Sequence, residues 1–368
     1  MNGRRIASAL LGLCLASSVL LPAQGKEIGQ AQPDSAHGIP PPPHRSPSGV
    51  LRVWGHPQAA GWLAAQAEEF RGSHPGIRIE ARLTGSDVGM AALYTGQADI
   101  VLMGREATES ETKAFEWVYR YRPIAVPILS GSLDRAGQAP ALVVFVHRDN
   151  PLEEVSLAQL DGIFSTAREH GWHDGRPVPG TGRSAERDLR NWGQLGLEGA
   201  WSRRPIRLYA PMAESGTGKY FRGRVLADSN RMHWAAITEF ADPVIGAEDS
   251  GERILAALAV DPTGMAVSSL QFARPEVKAL RLSAEGGGAV AATASSLAAG
   301  TYPLARTVYA YINKPPGDGI DPQVMAWLQA VLDDASSDPR RLEGFLPLPP
   351  GRRDDAIRAL ADTSPQAQ

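Results

Sequence analysis

Val50-Leu51-Arg52-Val53-Trp54, then Ile77-Arg78-Ile79-Glu80-Ala81-Arg82-Leu83, then Asp99-Ile100-Val101-Leu102-Met103 are three short apolar or alternating runs, and they set the class of the fold. Between the first two, Trp62, Ala65, Ala67, Glu69 and Phe70 follow a helical pattern across residues 59–71; between the second and third, residues 89–95 do the same. Strand, helix, strand, helix, strand predicts a parallel sheet, because parallel neighbours need a long crossover, usually a helix. In such sheets the ligand crevice lies off the carboxyl ends of the strands, where the loops gather. Here those loops are Gly55-His56-Pro57-Gln58, Thr84-Gly85-Ser86-Asp87 and Gly104-Arg105-Glu106.

The pattern then repeats. Ala141-Leu142-Val143-Val144-Phe145-Val146 reads as a buried strand, residues 157–164 as a helix and residues 171–182 as a Gly-rich loop. Ile206-Arg207-Leu208-Tyr209 predicts a strand and residues 217–227 a helix. Further strands are expected at Met265-Ala266-Val267, at Val277-Lys278-Ala279-Leu280-Arg281-Leu282 and over 307–312, with a helix over 322–333. The α/β pattern thus occurs twice, in keeping with the two domains that 368 residues suggest.

Composition narrows the function. Forty acidic residues against 37 Lys and Arg, with a net charge of −3, argue against a nucleic-acid-coating protein, and the single cysteine, Cys14, excludes a disulfide scaffold or a Cys-rich metal site. No cofactor and no metal are expected. Arg4 and Arg5 precede an apolar run over 6–21 that is shorter than the roughly 20 residues a bilayer span needs. Small residues follow, so 1–25 reads as a secretory signal peptide cleaved near Ala23–Gly25, and the mature protein as periplasmic. Losing Arg4 and Arg5 makes the net charge two units more negative. Residues 26–49, with Pro40-Pro41-Pro42-Pro43, read as a Pro-rich linker.

Glu214-Ser215-Gly216-Thr217-Gly218, between an expected strand and an expected helix, carries chemical content. Ser215 can cap the helix, Gly216 admits a ligand close to the backbone, and the first N–H groups point outward with the positive end of the dipole. An anion suits that end. A nucleotide P-loop does not fit, because Ala213 and Tyr220 stand where it needs Gly and Ser or Thr. His170 and His173 lie in the Gly-rich loop without a carboxylate cluster, so a zinc site is not expected. Gly180-Thr181-Gly182-Arg183-Ser184-Ala185 fits a dinucleotide fingerprint only formally, since it follows Arg176-Pro177-Val178-Pro179 and no strand is expected there. Arg222 and Arg224 read as a solvated helix face, and Trp192, Trp201 and Trp234 as packing.

Several of these stretches together resemble the periplasmic phosphate-binding proteins of ABC transporters. They are Thr84-Gly85-Ser86 with Ala98-Asp99-Ile100; Ser156-Leu157-Ala158-Gln159-Leu160-Asp161-Gly162-Ile163-Phe164; Glu214-Ser215-Gly216-Thr217; Gly264-Met265-Ala266-Val267; and Tyr302-Pro303-Leu304-Ala305-Arg306-Thr307-Val308-Tyr309. The resemblance implies the class II periplasmic binding protein fold: two lobes, each a mostly parallel sheet flanked by helices, joined by two crossing strands near 141–146 and 304–312. It places the first lobe at 50–143 with a return segment at 304–346, the second lobe at 144–303, and a C-terminal tail at 347–368.

The resemblance also implies a site in which Ser86, Arg105, Ser215, Gly216 and Thr217 hold phosphate or another small oxyanion, with His56 and Gln58 in the first loop. Two positions depart from the family pattern. His56-Pro57-Gln58 stands where Ser or Thr is usual, and Pro211 stands where an arginine is usual, which leaves Arg105 as the guanidinium that can compensate. The implied partner is a membrane permease, the implied state a monomer, and nucleic acid is not expected to bind. A secreted phosphatase-like enzyme and an exported sensor or adaptor are the alternatives.

Overall fold

The computed structural model describes residues 47–135, 138–173, 176–241, 249–334 and 342–361. The expected signal peptide, nearly all of the expected Pro-rich linker and the last residues of the expected tail lie outside them. In chain order, β1 (Val50–Gly55), α1 (Ala60–Ser73), β2 (Arg78–Arg82), α2 (Ser86–Tyr94), β3 (Ile100–Met103), α3 (Glu109–Tyr119) and β4 (Ile124–Ser130) form the first lobe. The second begins with β5 (Val143–His147), β6 (Glu154–Ser156), α4 (Leu157–Phe164), β7 (Gly171–His173) and β8 (Arg176–Val178). It continues through β9 (Arg207–Pro211), α5 (Gly216–Val225), β10 (Ile237–Phe240), α6 (Ser250–Leu258), β11 (Gly264–Ser268), β12 (Val277–Ala279), β13 (Arg281–Ser283) and α7 (Ala294–Ala298). β14 (Thr307–Ile312), α8 (Pro322–Asp334) and α9 (Pro350–Ala361) return to the first lobe.

The two large sheets are built alike. The first runs β2-β1-β3-β14-β4 and the second β10-β9-β11-β5-β12. β1 lies parallel to β2 and β3, and β9 parallel to β10 and β11, as the alternating elements predict. β14 and β5 are set antiparallel to their neighbours. Each is the first strand after the chain changes lobe, and it arrives without the helical crossover that makes a parallel pair.

The crossing segments, 131–142 and 303–306, precede these strands and hold each other. Leu142 N–H donates to Leu304 O at 3.1 Å, Gly131 N–H to Arg306 O at 2.9 Å, and the buried Tyr302 hydroxyl to Leu142 O at 2.9 Å.

Alternation along β14 shows how the first lobe packs. Val308, Ala310 and Ile312 face one core, where Trp62 of α1 meets Trp327 of α8 edge-on at 6.1 Å. Tyr309 and Tyr311 face the other, with Met90 and Leu93 of α2 and Phe115 of α3. In the second lobe all five residues of β5 are buried, as befits a strand covered on both faces.

Four local expectations change. Residues 171–182 contain the hairpin β7–β8, so a strand does precede Gly180, but it is an antiparallel edge strand followed by a single 3-10 turn at Ala185–Arg187. That is no dinucleotide unit. Residues 277–282 break at Leu280 into β12, on β5, and β13, on β6. Trp192 is buried and packs on Trp201, whereas Trp234 is half exposed. The tail contains α9, whose Ala356 and Leu360 are buried in the first core.

Candidate functional site

The loops at the carboxyl ends of β1, β3 and β9 meet the second crossing segment. α5 begins as its sequence dictates: the Ser215 hydroxyl accepts from Gly218 N–H at 3.1 Å, which caps the helix. Gly218 is required there, since a Cβ would stand 2.2 Å from Met212 O. The N–H groups of Gly216 and Thr217 open the first turn and have no intrahelical acceptor. Gly216 is exposed and Thr217 half-buried.

Facing this turn is a residue that the sequence reading did not assign to the site. Arg306 is buried and donates from Nε to Gly104 O at 2.8 Å; its Nη1 lies 3.5 Å from the Thr217 hydroxyl, and its guanidinium covers the Tyr220 ring at 5.3 Å. Its motif, Tyr302-Pro303-Leu304-Ala305-Arg306, is visible in the sequence, but only the crossing geometry brings it 89 residues back to Thr217. A Cβ on Gly104 would lie 3.3 Å from Arg306 Nη2 and 3.8 Å from His56 Cε1. The glycine therefore lets the guanidinium and the imidazole share one space.

His56, expected in the site from the first loop, lies close to the Arg306 guanidinium. It is buried, and its Nε2 has no hydrogen-bond partner among the described residues. Burial, reinforced by the charges of Arg306 and Arg105, pushes its pKa down to about 3. The ring is thus neutral at any ordinary pH, an unmet polar group beside two guanidinium groups, and such groups are the exception in folded proteins.

Arg105 is placed differently from the expectation. Its Nη1 and Nη2 donate to the Glu111 carboxylate at 2.7 Å each, Nη2 also to Asp87 at 2.7 Å and Nη1 to Glu106 O at 2.9 Å. Among the described residues, its buried Nε–H finds no acceptor. Glu111 is fixed in turn by the capping box of α3, where it also accepts from Thr108 N–H.

Ser86 is the first residue of α2, which starts three residues earlier than its periodicity suggested. The next residue, Asp87, pairs with Arg105 and, across to the second lobe, with Lys219 at 2.7 Å. Gln58 is exposed and accepts from Ala139 N–H at 3.0 Å, so it ties the first loop to a crossing segment. Arg222 is no solvated face: it is buried and pairs with Glu214 and Asn230. Among the described residues no group of three or more His, Cys, Asp or Glu is placed to hold a metal ion.

Arg306 of the crossing segment thus lies between the Thr217 hydroxyl at the start of α5 on one side and the His56 ring on the other. Charge-assisted donors at a helix start suit a small oxyanion.

The description "PBP superfamily domain" belongs to the family model that matches residues 40–335. The chain is similar to the phosphate-binding protein PstS of Pseudomonas aeruginosa, with 29% identity over 314 residues, 85% of this chain and 87% of that one. Its fold is similar to that of an ABC-type phosphate transport receptor from Vibrio cholerae, at 18% identity, TM-score 0.52 and coverage of 80% of this chain and 99% of the other. It is also similar to a possible phosphate binding protein from Planctomyces limnophilus, at 20% identity, TM-score 0.50 and coverage of 86% and 99%.

Proposed function

The chain belongs to the PBP superfamily, and on that premise we propose that it is an exported, monomeric solute-binding protein that captures phosphate between its lobes and delivers it to an ABC-type permease. The observation that carries the reading is Arg306, a buried guanidinium that reaches the Thr217 hydroxyl at the start of α5 beside the unpartnered Nε2 of His56. A tetrahedral anion in that space takes charge-assisted bonds from Arg306, backbone N–H bonds from Gly216 and Thr217, and a neutral ring N–H from His56. The whole chain is acidic, so binding rests on these local donors. Arg306 does from the crossing segment what an arginine at Pro211 does in the family pattern. The relative's name is that of a binding protein, which supports a binding module over a phosphatase.

Calorimetric titration with inorganic phosphate tests this. Each charged hydrogen bond contributes about 1.5–3 kcal/mol, so Arg306→Ala weakens binding by roughly tenfold to a hundredfold and Thr217→Ala by less. Undiminished phosphate affinity in Arg306→Ala, or no binding to the wild type, overturns the assignment.

A further inference from the structure

α5 does more than open the anion site. Thr217, Tyr220 and Arg224 are spaced by three and four residues, which puts them on one face of the helix. That face runs along the second crossing segment in reverse order. The Thr217 hydroxyl lies 3.5 Å from Arg306 Nη1, the Tyr220 hydroxyl donates to Ala305 O at 2.7 Å, and Arg224 Nη2 donates to Pro303 O at 3.3 Å. We infer that Tyr220 is a positioning residue of the anion site: its buried ring and hydroxyl hold the Arg306 guanidinium aimed at the start of α5. The inference rests on the phosphate reading above.

Side-chain freedom is the first argument. An arginine loses rotamer freedom when a ligand fixes it, and affinity is kept when the protein has fixed it beforehand. Arg306 is tied on the side of the first lobe, where its Nε donates to Gly104 O at 2.8 Å and its backbone O accepts from Gly131 N–H at 2.9 Å. On the side of the second lobe the guanidinium lies over the Tyr220 ring, with Cζ 5.3 Å from the centroid. An aromatic face attracts a guanidinium without using one of its N–H groups. The stack therefore steers the fork and takes no donor from it.

The surroundings of Tyr220 are the second argument. The residue is 3% exposed, and a cation over a ring is held more strongly where water is excluded. Burial also pushes the pKa of the hydroxyl up, so it stays protonated and donates. Its acceptor belongs to the residue just before Arg306. One side chain thus fixes the backbone at Ala305 and the guanidinium at Arg306.

The third argument is register. Thr217 lies on the same helix face and supplies the hydroxyl and N–H that the anion takes. Any movement of α5 along the crossing segment carries the seat of the guanidinium and the Thr217 donors together, so the arginine and the helix start keep their spacing.

Calorimetric titrations of the whole protein with inorganic phosphate test this on wild type, Tyr220→Phe, Tyr220→Leu, Arg306→Ala and the double variant Tyr220→Leu/Arg306→Ala, with a thermal melt of each. Tyr220→Leu, which removes ring and hydroxyl, weakens phosphate binding roughly tenfold, whereas Tyr220→Phe, which keeps the ring, weakens it only about two- to threefold. In the Arg306→Ala background Tyr220→Leu changes phosphate affinity by less than about twofold, although it lowers the melting temperature there as well. A tyrosine that serves only packing gives the same loss of affinity with and without Arg306, and that result overturns the inference. Wild-type affinity in Tyr220→Leu, or a Tyr220→Phe as weak as Tyr220→Leu, overturns it too. If the leucine variant does not fold, Tyr220→Met, whose flexible side chain fills the space, takes its place in the same cycle. A wild type that does not bind phosphate, or undiminished affinity in Arg306→Ala, overturns the phosphate reading and this inference with it; a weakened Arg306→Ala to which Tyr220 is not coupled overturns this inference alone.

Discussion

His56 links burial to a measurable pH dependence. Its pKa is about 3 in the folded chain and 6.5 in the unfolded one. Between those values the unfolded state takes a proton that the native state refuses, so stability falls as pH falls through that window, by at most about 1.4 kcal/mol per unit. Denaturant melts at pH 7, 6 and 5 therefore show the wild type losing more stability than His56→Gln; parallel losses contradict the assignment. Arg105 makes the opposite kind of residue. With its side chain 2% exposed and held by Glu111 and Asp87, Arg105→Ala strands a nearly buried carboxylate, and the expected loss is about 3–5 kcal/mol of stability. A thermal melt unchanged by that substitution would place the guanidinium outside the network.

Among the elements, α5 was legible because its start has chemical punctuation: Ser215 caps, Gly216 is open, and Gly218 admits Met212 O. Gly218→Ala adds only a methyl group, remote from any ligand contact, yet it must displace the 212–217 turn. Phosphate affinity is expected to fall roughly tenfold with the loss of one or two backbone donors; unchanged affinity would mean that the turn does not set the site. α4 was equally legible, since Ser156 and Gln159 form the capping box that opens it. Other elements carried weaker signals. β4 contains Pro127, tolerated because β4 is at the edge of the sheet beside β14, where its other side needs no ladder donor at Pro127. α3 buries only Phe115 and Tyr119 and reads as a polar stretch, and α9 is crowded with charges. The role of Arg306 was not legible at all, because it depends on two crossing segments whose contact no local pattern encodes.

At the scale of the molecule, Lys219 of the second lobe meets Asp87 of the first at 2.7 Å, and the Tyr220 hydroxyl donates to Ala305 O of the crossing segment, also at 2.7 Å. Asp87 is 57% exposed, so the ion pair is worth about 1 kcal/mol or less and weakens with salt. Lys219→Met then shifts the balance between open and closed lobes severalfold at most. Small-angle scattering is expected to give a larger radius of gyration for the phosphate-free variant than for wild type, and the same radius when phosphate is bound; equal radii without phosphate would show that the pair does not hold the lobes. The central claim is that an anion joins donors of both lobes to the arginine of the segment between them. Its most direct test is a crystal structure of the phosphate complex. The account predicts phosphate oxygens within hydrogen-bond distance of the Arg306 guanidinium, the Thr217 hydroxyl and N–H, and His56 Nε2. Phosphate held by Arg105 alone, or bound anywhere outside the space between the lobes, would contradict it.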